Sequence, residues 1–273
     1  MAIQWPLLIF SLLAGCGGVT LASAGVAELL GVAKKTRFIA VVVALVLLIV
    51  GGCASVLHLA QPANIMAAAA NIFSFSGISV ELIMLGLNVI VGAIYLVLVG
   101  RGGSASVSKA VGVIGIVVGI VMAFVVGNGY VMEAQPLWNT PLLPVAYLGS
   151  GLACGATLFA SLMVARGEEA ADIAKFAPVA LAATVIEAVA FLAYGAVIGF
   201  ACDAAVYWGG AIVVGCAGAI ACAVVARKTP AAWYGSCACA LVGGIAIRAV
   251  MWMIGTGFIA GFATAASRTV LGV

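Results

Sequence analysis

The sequence predicts an all-α integral membrane protein, a bundle of eight transmembrane helices with both termini on the outer side. Three observations lead to this prediction: the composition, a series of long apolar runs and an uneven distribution of basic residues. Hydrophobic residues make up 66% of the 273 residues and charged residues 7%, whereas about a quarter of an ordinary soluble domain is charged. A chain with so few charges cannot build a water-exposed surface, so a soluble class is excluded.

Apolar runs long enough to cross a bilayer recur along the whole chain. The hydrocarbon core is about 30 Å thick, and a helix needs about 20 residues to span it. Transmembrane strands would instead show alternating segments of about ten residues, which the sequence lacks. We therefore expect one helical domain, 1–273, with spans at 6–30, 37–60, 80–100, 109–130, 143–165, 176–199, 206–226 and 234–262.

The basic residues lie in alternate loops. Nine of the eleven follow the odd-numbered spans: Lys34, Lys35, Arg37, Arg101, Lys109, Arg166, Lys175, Arg227 and Lys228. Because loops rich in Lys and Arg stay on the cytoplasmic side, both termini are predicted to lie outside. The first basic residue is Lys34, so the N-terminus lacks the basic region of a signal peptide, and span one is expected to persist in the mature chain.

Small residues are spaced for close helix packing. The chain has 35 glycines, and the segments GLACGA (151–156) and GGAIVVGCAG (209–218) place them at helical spacing. Such faces let helix backbones approach each other in lipid, so we favour a packing role over a ligand cradle. The eight cysteines are scattered without the grouped spacing of zinc or iron–sulfur sites, and no metal site is expected.

Polar side chains in or beside apolar spans are costly, and this makes them candidates for function. His58 ends span two and Glu81 begins span three, so both are expected at the same outer depth. The loop between them, 60–80, carries no formal charge and contains apolar stretches suited to lie along the membrane surface. The pair either binds a ligand, or it simply faces lipid headgroups or satisfies the backbone of a loop.

A second polar pair lies deeper. Glu187 is near the centre of span six and Arg248 near the centre of span eight, so by residue count they share the midplane. An arginine there costs about 2.5–3.5 kcal/mol unless it is paired or hydrated, and we therefore expect a Glu187–Arg248 contact. Both a structural ion pair and a proton-relay or headgroup-facing role fit this position. Glu28, near the inner end of span one, is expected to contact water.

Four segments resemble the membrane anchor subunit of dimethyl sulfoxide reductases, a family related to the quinone-interacting membrane subunits of the polysulfide reductase type. They are WPLLIFSLLAGCGGV (5–19), ASVLHLAQP (54–62), SGISVELI (76–83) and GGIAIRAVMWMIG (243–255). The family pattern HLG-x-P reads His58-Leu59-Ala60-Gln61-Pro62 here. The family has a basic residue shortly after that proline, and the neutral Ala63-Asn64 region replaces it in this sequence. The acidic residue expected four positions before Arg248 is Gly244.

The resemblance implies a three-subunit complex in the cytoplasmic membrane of a prokaryote. This anchor would hold an iron–sulfur electron-transfer subunit and a molybdopterin catalytic subunit on the outer face. The anchor of that family binds no haem or metal and oxidises menaquinol near the outer face, with the residues that match His58 and Glu81 implicated. Gln61 and Arg248 are further candidates for quinol binding. The other partners are membrane lipids and the quinone pool, and no nucleic acid is expected.

Elementary chemistry agrees with what the resemblance implies. Quinol oxidation releases two electrons and two protons, so the site needs a proton acceptor and a neighbour that carries the proton away. A neutral His58 imidazole suits the first role and Glu81 suits the second. The chain has one histidine, which disfavours a membrane haem held by two histidines.

Two other functions fit the same sequence. A secondary transporter would use Glu187 and Arg248 at the midplane, although the spans lack the paired Gly/Pro-broken segments of inverted-repeat carriers. A purely structural anchor would hold its partner without binding quinone. Co-purification with iron–sulfur and molybdenum subunits would distinguish the quinol-oxidising anchor from the transporter. Binding of a quinone analogue would distinguish it from the purely structural anchor.

Overall fold

The described residues of the chain fold into long helices. The computed structural model describes residues 2–57 and 70–255, and within these ranges it contains no strand. The eight long helices of the described residues are α1 (Trp5–Leu30), α2 (Arg37–Val56), α3 (Gly77–Arg101), α4 (Ala105–Asn128), α5 (Leu142–Ala165), α6 (Ala170–Val197), α7 (Ala205–Val225) and α8 (Ala232–Ile254). All eight are long and apolar enough to cross a membrane, which confirms the predicted class and number of spans.

Local chemistry sets the helix ends. Gly31 and Gly102 follow α1 and α3 in the left-handed conformation, with φ of 71° and 64°, which glycine adopts without steric cost. Ser76 caps α3 by accepting a hydrogen bond from the Ser79 backbone N–H. Helix α6 begins at Ala170, six residues before the predicted 176, because its backbone hydrogen bonds continue beyond the apolar segment.

Helix α7 is wound in two ways. Its first part, Ala205–Gly218, is a π-helix, and its last part, Ala219–Val225, is an α-helix. Long π-helical segments are rare in proteins. Inside the π-helical part, Gly215 lies so close to the Gly243 backbone of α8 that neither residue has room for a side chain. The packing role predicted for the small residues at 209–218 is thereby confirmed at Gly215, whereas Gly209 has no atom within 4 Å of an added Cβ.

Helix α1 forms the centre of the bundle. Of its most apolar stretch, 83% is buried, the largest share among the eight described spans. Its glycines make this possible, because a Cβ added at Gly25 would collide with the backbone carbonyl of Gly112 in α4. Helix α1 also packs closely on α5, where a Cβ added at Gly155 would lie 2.6 Å from the Cβ of Val19. Backbones at such short distance gain close van der Waals contact in lipid.

Consecutive helices run antiparallel, as the contacts of Gly52 with Leu85 and of Gly92 with Leu45 show for α2 and α3, and the bundle therefore has two distinct ends. We call the end that contains the start of α1 and the 129–141 connection the N-terminal end. The opposite end contains the connections 31–36, 102–104, 166–169 and 226–231, and we call it the basic end. The nine basic residues of the predicted odd-numbered loops lie in these connections or in the helix turns next to them. Which end faces outside stays a prediction.

Buried charges join the helices at the basic end. Glu28 forms an ion pair with Arg37 and accepts a hydrogen bond from the Tyr95 hydroxyl at 3.0 Å. The expectation that Glu28 contacts water was therefore wrong, because α2 and α3 cover it. Glu168 accepts hydrogen bonds from both the backbone N–H and the hydroxyl of Thr36, each at 2.8 Å, and so ties two connections together.

The glycine contacts of α1 can be tested at Gly119, whose added Cβ would collide with the carbonyl oxygen of Gly18. We expect Gly119→Ala to lower the free energy of unfolding by about 1–3 kcal/mol, the usual cost of overpacking. Gly86 has no atom within 4 Å of an added Cβ, so Gly86→Ala is the matched control and is expected to be neutral or slightly stabilising. Thermal unfolding in detergent measures both, and equal midpoints would contradict the packing argument.

Candidate functional site

Arg248 is a wholly buried cation that joins three helices. Its Nε donates to the Ser11 hydroxyl and its Nη1 to the Ser150 hydroxyl, both at 2.9 Å. Nη1 also donates to the Gly244 carbonyl at 2.8 Å, and Nη2 to the Ser11 carbonyl at 3.2 Å. The guanidinium carbon lies 4.4 Å from the centre of the Tyr147 ring, a cation–π distance. Neutral oxygens and a ring face thus stabilise this charge.

Glu187 does not form the ion pair predicted for it. Its side chain is wholly buried on α6, and neither carboxylate oxygen has a hydrogen-bond partner within the described residues. Oε1 lies 3.5 Å from the position of a Cβ added at Gly243, whereas the hydrogen bonds of Arg248 orient its guanidinium toward α1 and α5. Similar depth in two helices therefore did not produce a contact, because the side chains point toward different neighbours.

Four aromatic rings pack at the N-terminal end, next to Arg248. The Tyr130 ring centre lies 5.7 Å from that of Tyr147, 5.8 Å from that of Trp252 and 6.3 Å from that of Trp138. Trp138 and Trp252 meet edge to face at 5.2 Å, and the Trp138 indole donates to the Met251 carbonyl at 2.8 Å. The 129–141 connection is in this way folded onto the helices. We call these four rings the aromatic cluster.

Tyr130 connects the predicted site residues electrostatically. Its hydroxyl donates to the Leu7 carbonyl at 3.4 Å. Burial raises the pKa of the Tyr130 phenol well above its ordinary value. The neighbouring Tyr147 and Glu81 act in the same direction, while Arg248 opposes them. Tyr130 therefore keeps its proton at physiological pH and stands within electrostatic range of both Glu81 and Arg248.

Glu81 is half-buried in the second turn of α3. Its Oε1 lies directly against Gly129, where α4 ends, and leaves no room for a side chain at that glycine. Of the other predicted ligands, His58 and Gln61 lie outside the described residues. The structure thus brings Glu81 and Arg248 to the same end of the bundle, where both act electrostatically on Tyr130.

Sequence reasoning missed the neutral residues around the arginine. Ser11 and Ser150 carry no charge and lie in apolar spans, so nothing in the sequence singled them out. The aromatic cluster left a weak signal, since tyrosine and tryptophan are enriched at membrane interfaces. Two of its polar atoms, the Tyr147 hydroxyl and the Trp252 indole N–H, have no hydrogen-bond partner in the described chain.

The eight cysteines are free thiols and differ in their exposure. Cys16, Cys154, Cys216 and Cys237 are buried, whereas Cys53 is exposed. Among the residues that the structure describes, no three His, Cys, Asp or Glu side chains come together as a group suited to hold a metal ion.

The two buried residues Arg248 and Glu187 are expected to differ in their effect on stability. Arg248→Lys loses the planar guanidinium group that donates to Ser11 and Ser150 at the same time. We expect the free energy of unfolding to fall by about 1.5–3 kcal/mol. Glu187→Gln removes no hydrogen bond or ion pair. Its effect should stay well below the roughly 3–5 kcal/mol that breaking a buried pair costs.

Thermal unfolding of the complex in detergent tests this difference, with the exposed Arg101→Lys as the control for the Arg-to-Lys change. A loss of stability in Glu187→Gln as large as that in Arg248→Lys would restore the ion-pair interpretation.

Comparison with known proteins identifies the family. No curated protein matches the chain. The family model described as "DMSO reductase anchor subunit (DmsC)" matches residues 1–224, which is most of the chain. The resemblance noted in the sequence is thereby confirmed, and the chain belongs to the DMSO reductase anchor subunit (DmsC) family.

Proposed function

We propose that this membrane anchor oxidises menaquinol at the N-terminal end of the bundle and passes the electrons to an iron–sulfur subunit. Family membership implies that the chain anchors a DMSO reductase-type complex with catalytic and iron–sulfur subunits, and anchors of this family interact with quinones. The observation that carries the proposal is that Glu81 and Arg248 both lie next to Tyr130. Glu81 lies against Gly129, the residue before Tyr130, and Arg248 lies over the ring of Tyr147, which packs against the Tyr130 ring.

The polar groups of this end fit a quinol headgroup. On oxidation a quinol supplies two electrons and two protons, so its surroundings must accept protons and lead them toward water. Glu81 offers a half-buried carboxylate next to Gly129. Tyr130 offers a protonated hydroxyl, and Arg248 provides a fixed positive charge behind the aromatic cluster. These groups combine a proton acceptor, a hydrogen-bond donor and apolar ring faces.

His58 and Gln61 complete the proposal from their position in the chain. Near the end of α2, an added Cβ at Gly52 would lie 2.8 Å from Leu85 of α3, which is one turn from Glu81. His58 follows Gly52 by six residues. We assign His58 the first proton transfer from the quinol, Glu81 the transfer toward water, and Gln61 a hydrogen bond to the headgroup.

Exposed aromatic side chains at the N-terminal end support docking of the partner subunits there. Phe73 and Phe75 are 81% and 71% exposed, and both precede the first turn of α3. Exposed apolar groups outside the spans are typical of interaction surfaces. In this proposal the N-terminal end faces outward from the cytoplasmic membrane of a prokaryote, and the iron–sulfur subunit covers it close to the quinol.

The transporter alternative has lost its main support. It relied on a joint midplane site of Glu187 and Arg248, and these two side chains share no hydrogen bond or ion pair in the described structure. Quinol oxidation uses Arg248 without needing Glu187.

Binding of a fluorescent quinol-site inhibitor to membranes that contain the complex tests the proposal. We expect His58→Ala and Glu81→Gln to weaken binding at least about tenfold, since each loses a hydrogen bond to a polar headgroup. Glu133 is an exposed carboxylate in the 129–141 connection, so Glu133→Gln is the matched control. Unchanged binding in both site variants, with the partner subunits attached, would reject the proposed site.

Gly129→Ala tests the position of the Glu81 carboxylate. Gly129 has right-handed helical backbone angles, so alanine is tolerated by the backbone, but its Cβ would displace Oε1 of Glu81. We expect a several-fold loss of quinol oxidation with little change in the amount of assembled complex. Full activity of Gly129→Ala would show that oxidation does not depend on where this carboxylate lies.

A further inference from the structure

A lateral groove of about 450 Å³ lies between α4 and α6, away from the aromatic cluster. Its floor is formed by buried residues of α1 and α5, among them Val19 and Ala156. Its walls include Ile120 of α4 and Ile186 of α6, which are partly exposed. The groove is lined almost wholly by apolar side chains and lies within four membrane-spanning helices, so it opens toward the hydrocarbon of the bilayer.

Two lysines continue the walls of the groove toward the basic end. Lys175 precedes the lining residues Pro178 and Val179 by three and four positions. Lys109 precedes the lining residue Ile116 by seven positions, or two turns. Residues at these spacings share one helix face. Both lysines are exposed, so one cation on each wall stands above the apolar groove, at the depth of the lipid headgroups.

The carboxylates near these lysines have other partners. Asp172, three residues before Lys175, accepts a hydrogen bond from the Ala33 backbone N–H at 3.2 Å. Glu168 accepts two hydrogen bonds from Thr36. Glu28, which lies close to the first turns of α4, is paired with Arg37. Within the described residues neither Lys109 nor Lys175 forms an ion pair with a carboxylate, so their positive charges are available to a ligand.

We infer that this groove is a binding site for an anionic phospholipid, with one acyl chain in the groove and the phosphate between Lys109 and Lys175. The length of the groove fits one acyl chain. Its α6 wall from Pro178 to Ile186 is roughly 12 Å long at 1.5 Å per residue, and the hydrocarbon of one leaflet is roughly 15 Å thick. Basic pockets between transmembrane helices are suited to anionic headgroups. This site does not depend on the proposed quinol function.

Native mass spectrometry of the complex tests the headgroup contacts. The complex is purified, depleted of lipid in detergent and titrated with phosphatidylglycerol or with zwitterionic phosphatidylcholine. We expect a preference for phosphatidylglycerol that the double variant Lys109→Gln/Lys175→Gln weakens about 30-fold, as two lysine–phosphate contacts imply. Lys34 and Lys228 are also exposed at the basic end, and Lys34→Gln/Lys228→Gln is the matched control. Equal affinity in the two double variants would overturn the proposal.

A second variant tests the groove without changing any charge. Ala182 lines the groove and is exposed, so Ala182→Phe should fill it and reduce phosphatidylglycerol binding by a similar factor. Ala221→Phe places the same ring on an exposed position of α7, outside the groove, and should leave binding unchanged. If Ala182→Phe instead displaced a co-purified quinone and left phosphatidylglycerol binding intact, the groove would hold the quinol tail and the lipid assignment would be wrong.

Discussion

The close packing of α1 against its neighbours is the contact on which the rest of the bundle depends. Water-driven burial of apolar surface is weak between helices in lipid, and the association relies on van der Waals contact between close backbones. Gly25 against Gly112, and Gly155 against Val19, bring α4 and α5 to that distance. Since α1 also packs on α2, one helix of small residues fixes the position of three others.

This central position of α1 explains how a wholly buried arginine is accommodated. An arginine in the hydrocarbon region is costly unless neighbouring groups replace its water. Ser11 of α1 and Ser150 of α5 can both reach Arg248 only because those two helices are already in close contact. The charge is thus stabilised by neutral groups whose placement comes from glycine packing elsewhere along the same helices. The aromatic cluster covers it toward the N-terminal end.

Buried polar groups occur at both ends of the bundle, and within the described residues only some of them have hydrogen-bond partners. At the basic end, Glu168 and Asp172 bond to the connection that follows α1, and this fixes the loops to one another. At the N-terminal end, polar atoms such as the Tyr147 hydroxyl remain without partners within the described residues. Unpartnered buried polar atoms are costly, and the described residues of the basic end contain them too, at Arg37 Nε and Trp233 Nε1.

The sequence by itself determined the membrane class, the eight helices and the loops that carry the basic residues, because hydropathy and charge are read along one chain without knowledge of neighbours. It also singled out Glu81 and Arg248 as candidate site residues, which stays a prediction. Only the tertiary structure decided that Arg248 bonds to Ser11 and Ser150 rather than to Glu187. Residue count gives the depth of a side chain, whereas its partner depends on helix rotation and on which helices are adjacent, and packing sets both.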